Sequence, residues 1–256
     1  MRRLLVLGLI LAGLAGCSKG PRPGPPAGVR TEDVTLPTAQ GQARAVEFVP
    51  PGVPRPAVLV LHGDYGLDDG VRRHARKLAD DGYLVLAVDL YDGEVAKDVE
   101  GAHVLSRALP DEKVKAYLEA AVDRLAECSD GRIGVIGWDT GGGYALDLAI
   151  DDPRVIACVT CYGRLRTEAE SLRPMKASVL GVFAENDAGN PPETRRDFEE
   201  AMKGAGKDLA GMLVLDGCGG GFMTPGPDRE AGPDDERAAQ DAWDAIDAFL
   251  HKRLRK

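Results

Sequence analysis

Between Val29 and Leu254, short apolar runs alternate with stretches whose apolar positions recur every three to four residues. The runs are Ala45–Val49, Ala57–Leu61, Leu84–Val88, Ile133–Ile136, Val155–Cys161, Val179–Phe183 and Met212–Leu215. Several are apolar almost without interruption, which predicts parallel strands buried on both faces; half-exposed strands would alternate. Helical spacing covers Val71–Asp80, Asp111–Glu127, Gly142–Ile150, Glu193–Gly204 and Pro233–Leu254. It is clearest in Asp111–Glu127, where Val114, Leu118, Ala121, Val122 and Leu125 share one stripe. This order of elements predicts an α/β fold, a mostly parallel central sheet with helices on both faces.

One junction carries candidate chemistry. The apolar strand Ile133–Ile136 runs into Gly137-Trp138-Asp139-Thr140-Gly141 and then into a helical pattern. Glycine, any residue, a nucleophile, any residue and glycine between strand and helix is the layout of a nucleophile elbow. Its central residue occupies a strained turn with positive φ, and the flanking glycines leave room for strand and helix to close. Thr140 would then present its backbone N–H to an oxyanion at the start of a helix, where negative charge is favoured. The stretch Gly137–Gly143 lacks the Lys-Ser/Thr of a phosphate loop and no GxGxxG occurs, so nucleotide binding is not indicated and no cofactor is expected.

Composition narrows the functional classes. With 256 residues, 44% hydrophobic and 29% charged, the chain is an ordinary globular protein. Lys plus Arg number 32 against 41 Asp plus Glu, a net charge of −9, which argues against a nucleic-acid partner. Five cysteines are too few for a disulfide scaffold at this length. Only four histidines occur, His62, His74, His103 and His251, so any mechanism needing an imidazole must draw on one of them.

The N-terminus reads as a targeting segment. Arg2 and Arg3 precede the apolar run Leu4–Leu14, too short to span a bilayer, and small residues follow. Leu14-Ala15-Gly16-Cys17 resembles a bacterial lipobox, which implies cleavage after residue 16 and acylation of Cys17. The lipid bilayer is then a partner, since about two lipid signals suffice for a stable anchor. Ser18 in place of Asp favours the outer membrane of a Gram-negative-type envelope. The stretch KGPRPGPPAG, from Lys19 to Gly28, reads as a semi-rigid tether. The expected organisation is signal peptide 1–16, acylated Cys and tether 17–28, and one domain over 29–256.

That domain resembles the dienelactone hydrolase family of α/β-hydrolases, and three stretches carry the likeness. The first is VLVLHGDYGLDDGVRRHARKLADDGYLVLAVDLYDG. The second is the elbow. The third is GVFAENDAGNPPETRRDFEEAMKGAG followed by LVLDGCGGGFMTP. The resemblance implies the α/β-hydrolase fold and hydrolysis of a small ester or lactone. It also implies a catalytic triad, here degenerate. Asp187 matches the family's acid. The nucleophile position, Cys in the family and Ser in its relatives, falls on Asp139, and the histidine of a His-Gly-Phe or His-Ala-Phe triplet falls on Gly220. Asp64, in His62-Gly63-Asp64-Tyr65-Gly66, falls where the family places a second oxyanion N–H, beside that of Thr140.

Asp139 admits three roles. It is a carboxylate nucleophile, which still needs a histidine to activate the water that releases the ester. It is a structural remnant in a pseudoenzyme that binds rather than cuts, since Asp tolerates positive φ. Or it stands in a site where another base sustains hydrolysis. None of the four histidines is a convincing base: His62 is expected to brace the oxyanion loop, His103 to lie in a polar segment near the pocket, and His74 and His251 to lie on the surface. Two carboxylates at about 6 Å repel by roughly 3 kcal/mol at an effective dielectric near 20, so Asp139 and Asp187 favour protonation of one. That pair lacks a clear third ligand, so no metal site is expected. Cys158 and Cys161 lie three apart on a strand and point to opposite faces, which suits a core and not zinc. Cys218, in the Gly-rich loop, is a loop cysteine, a disulfide partner or a rewired thiol, and neither its pairing nor that of Cys128 is fixed by the sequence.

Overall fold

A computed structural model describes the fold over residues 28–52 and 55–255. Eight strands, β1 (Arg30–Thr38), β2 (Gly41–Val49), β3 (Ala57–Leu61), β4 (Leu84–Asp89), β5 (Ile133–Trp138), β6 (Val155–Cys161), β7 (Ser178–Asn186) and β8 (Leu209–Gly219), form one sheet. Its spatial order is β1-β2-β4-β3-β5-β6-β7-β8. The first two strands pair antiparallel, as do β2 and β4, and every pair from β4 through β3 to β8 is parallel. Every residue of β3, β4 and β5 is buried, the burial that their unbroken apolar runs require.

The helices are α1 (Asp69–Asp80), α2 (Val99–Ala108), α3 (Asp111–Cys128), α4 (Thr140–Asp151), the short α5 (Ala169–Leu172), α6 (Pro192–Gly204) and α7 (Pro233–Leu254). On α1, Lys77 reaches Asp247 of α7 at 2.5 Å, and His74 packs on Trp243, so these two helices cover one face together. Helices α3 and α4 flank a common cleft over the other. The stripe expected of α3 is its buried face, joined by Tyr117. The mostly parallel sheet with helices on both faces is thus the α/β-hydrolase-like fold expected.

Three elements escape the apolar pattern. Strand β1 carries Arg30, Glu32, Asp33 and Pro37 and is largely exposed; it lies at the sheet edge, where proline and charge are tolerated. Helix α2 buries only Ala102, so it has no stripe, and its start is fixed by Asp98, which accepts the Gly101 N–H at 2.8 Å. Helix α5 is four residues long. The lipobox, Cys17 and most of the tether lie outside the described residues. Among the described residues no helix is long and apolar enough to cross a membrane.

Candidate active site

Asp139 stands between β5 and α4 with φ 53° and ψ −123°, a conformation few non-glycine residues adopt. Its N–H donates to the Cys161 carbonyl of β6 at 3.0 Å, which fixes the turn to the neighbouring strand. The flanking glycines are obligatory. A Cβ on Gly137 would lie 2.1 Å from the Gly141 carbonyl oxygen, and one on Gly141 would lie 2.2 Å from that of His62. Beneath the turn, Trp138 is fully buried and stacks on His74 with ring centroids 5.1 Å apart.

Thr140 opens α4, so its N–H has no acceptor within its own helix. Its hydroxyl donates to the Asp64 carboxylate, which projects from the loop after β3. An acid therefore faces the place where an oxyanion would be received, and that opposes developing negative charge there. Asp187 follows the end of β7. One of its oxygens accepts the N–H groups of Gly189 and Asn190 at 2.9 and 3.2 Å; the other accepts the Asn190 side-chain amide at 3.0 Å. Asn190 is itself buried and also donates to the Tyr162 carbonyl. Gly220 lies just past β8, and a Cβ there would meet the Asp187 carboxylate at 3.7 Å, ordinary contact. A side chain at 220 would thus touch the acid, and the residue there has none.

The turn after Gly220 is tied down by other contacts. His74 donates from Nε2 to the Met223 carbonyl at 2.9 Å. The Tyr162 and Thr224 hydroxyls bond each other at 2.8 Å, and Phe222 packs on the Tyr162 ring. Tyr65 fills the space beside Gly226, where a Cβ would fall 2.2 Å from its ring. Gly63, Asp64, Tyr65, Asp139 and Thr224 are among the residues that line a depression of only about 10 Å³, room for roughly one water.

Water reaches the Asp139 side chain at the floor of this depression, yet protein surrounds it on most sides. That loss of solvation, followed by the charges of Asp64 and Asp187, pushes its pKa up to about 7. His62 is fully engaged: its Nδ1 donates to the Gly63 carbonyl at 2.8 Å and its Nε2 accepts the Leu90 N–H at 3.0 Å. Burial lowers its pKa, so it is a neutral brace between β3 and β4. His103 and His251 are exposed. His74 corrects the expectation of a surface residue: it is half-buried between two tryptophans, and burial lowers its pKa. Its neighbours Arg72, Arg73 and Arg76 hid this in the sequence.

Cys128, Cys158, Cys161 and Cys218 are all free thiols. Cys158 and Cys161 are core residues whose pKa burial pushes well up. Cys218 is buried, donates to the Leu215 carbonyl, and is likewise pushed up by burial, which disfavours the thiolate. Among the described residues, no three His, Cys, Asp or Glu side chains are grouped to hold a metal. The sequence did not flag Asn190, the Thr140–Asp64 bond or the hold of His74 on Met223; the last two join residues 76 and 149 apart.

Residues 43–254, nearly the whole described domain, match the dienelactone hydrolase family. The chain belongs to that family. A Methylorubrum extorquens relative, assigned by inference as a carboxymethylenebutenolidase, is 30% identical over 244 residues, covering 88% of this chain and 82% of the relative. A Bradyrhizobium protein assigned in the same manner as a 2-oxo-3-(5-oxofuran-2-ylidene)propanoate lactonase is 28% identical over 215 residues, covering 78% and 84%. Among solved structures, a dienelactone hydrolase-like promiscuous phosphotriesterase from metagenomic libraries superposes with a TM-score of 0.78 at 23% identity, over 89% of this chain and all of that one. A Klebsiella pneumoniae protein assigned by inference as a dienelactone hydrolase gives 0.76 at 23%, over 88% and 99%. These structural likenesses speak for the dienelactone hydrolase fold alone.

Proposed function

We propose that this member of the dienelactone hydrolase family is an envelope lipoprotein whose inherited hydrolysis of small esters or lactones is impaired or lost, and which acts by binding. Family hydrolysis needs a nucleophile, a base to take its proton, and donors for the oxyanion. Here Asp139 replaces the first, Gly220 replaces the second, and the Asp64 carboxylate opposes the third. The observation that carries the reading is the place of Gly220: Gly189 and Asn190 hold the Asp187 carboxylate, and a Cβ at 220 would meet it at 3.7 Å, yet the residue there has no side chain to act as the base. An alkyl-enzyme ester on Asp139 would also need a histidine to activate the water that releases it, and His62 is held between the Gly63 carbonyl and the Leu90 N–H.

Rebuilding the triad tests this. Asp139→Cys and Gly220→His should each leave aryl-ester turnover near background, because nucleophile and base act as a unit. Together they should raise it about 100-fold or more over either single variant. High activity from Asp139→Cys alone would reveal a base elsewhere and sink the proposal. The anchor is tested separately: intact mass of the mature protein should place an acylated Cys17 at its N-terminus, and an unmodified start at another residue rejects the lipoprotein.

A further inference from the structure

The pole of the domain opposite the elbow carries two cations without acidic partners. Asp64 and Asp139 follow the ends of β3 and β5, whereas Arg55 and Gly82 precede the starts of β3 and β4. These strands run parallel, so their starts and ends lie on opposite edges of the sheet. Arg255, after α7, joins Arg55 there: its guanidinium donates to the Asp81 carbonyl and lies 4.5 Å over the Tyr83 ring. Arg55 donates to the carbonyls of Pro51 and Gly82. Neither arginine has a carboxylate partner among the described residues.

Both guanidinium groups face one point beside Gly82. A Cβ there would lie 3.0 Å from Nη1 of Arg55 and 3.4 Å from Nη2 of Arg255. Apart from the glycine and its chain neighbours, no other atom of the described residues comes within 4 Å of that point. Two like charges aimed at open space leave a place for an anion, and guanidinium donors suit phosphate. Hollows of about 260 and 190 Å³ flank the spot; Arg55 and Asp80 line the first, and Asp81, Asp247, His251 and Arg255 the second. Their acids are all engaged, Asp80 by Arg76 at 3.0 Å, and Asp81 and Asp247 by Lys77 at 3.2 and 2.5 Å. The chain also enters the domain here. Gly28 and Val29 line the same hollow as Arg55, and Cys17 lies eleven residues earlier, at most about 40 Å of chain.

We propose that this pole docks on an anionic phospholipid surface, with a headgroup phosphate held between Arg55 and Arg255. The elbow then faces away from the bilayer. The chain as a whole carries −9, so an anionic surface repels most of it and draws in this pole. The choice of a membrane as the source of phosphate rests on the reading that Cys17 is acylated, which keeps a bilayer within reach of Gly28.

The test is flotation of the full-length Cys17→Ser chain, which lacks the acylation site, with vesicles of phosphatidylcholine alone or mixed with phosphatidylglycerol. Every variant carries the same N-terminal segment, so differences between them report the pole. Binding should be about 25-fold tighter to the anionic vesicles, from about fivefold for each arginine near a charged surface. Arg55→Gln and Arg255→Gln should each cost about fivefold there and change nothing on phosphatidylcholine alone. Arg164→Gln removes an exposed arginine that follows β6, at the elbow pole, and should change neither. Equal binding to both vesicles, no loss in either pole variant, or an equal loss in Arg164→Gln would each overturn the proposal. So would inorganic phosphate binding, by isothermal titration, in a chain that does not bind vesicles. Failure here leaves the intact mass at Cys17 untouched, whereas an unmodified start together with tight anionic binding rejects the anchor and keeps the docking surface.

Discussion

The elbow and the loop past β8 line one depression, yet the fold constrains them differently. At the elbow, Gly137, Trp138 and Gly141 are locked by backbone contacts that serve the sheet and α4 whether or not catalysis occurs. Only the central side chain is unconstrained by those contacts, and it is Asp, which accepts positive φ more readily than most residues. Past β8 nothing structural requires an imidazole. Gly220 is exposed, and the turn beyond it is held by His74, Tyr162 and Tyr65 instead. The elbow is held by the fold itself, whereas position 220 makes no contact that the fold requires.

The largest effect that would break this contrast comes from one substitution made in both regions. Gly141→Ala drives a Cβ into the backbone of His62 and should destabilise by more than about 4 kcal/mol, or prevent folding. Gly220→Ala makes only ordinary contact and should stay within about 0.5 kcal/mol in urea unfolding. Equal sensitivity at the two glycines would remove the distinction.

A second experiment sharpens it within the site. On the rebuilt Asp139→Cys, Gly220→His background, Asp64→Asn removes the carboxylate that Thr140 holds over the oxyanion position. Ester turnover should rise about a further tenfold. No gain would mean that Asp64 does not oppose the oxyanion.

The smallest effect concerns pH. Asp139 has a folded pKa of about 7 against an ordinary 3.8, so the folded state binds its proton more tightly than the unfolded state. This group's contribution therefore falls as pH rises from about 4 to 7, and above that range the folded state carries the whole penalty. Asp139→Asn should match wild type near pH 4 and exceed it at pH 8. Because water reaches the carboxyl and screens it, about 1 kcal/mol is expected, roughly 2–4 °C in Tm. A thermal-melt difference that is the same at both pH values would place the Asp139 pKa at its ordinary position.

Much of this was legible in the residues. The buried strands announced themselves because parallel strands covered on both faces need unbroken apolar runs, as in Leu84–Val88. Strand β1 and helix α2 did not, one being a charged edge and the other burying a single alanine. Around the candidate site, the positive-φ turn at Asp139 and the place of Gly220 beside Asp187 were legible because spacing around glycines and Phe222 marks them. The engagement of Asp187 by Asn190 and the Asp64–Thr140 bond were not, since side-chain partnerships depend on loop paths that apolar periodicity does not encode.

The proposed loss of triad chemistry is tested most directly by steady-state turnover of aryl esters and small lactones by the wild-type protein beside Asp139→Ala. Both should run at background and be indistinguishable. Robust wild-type turnover that Asp139→Ala abolishes would contradict the account and establish the carboxylate as a working nucleophile.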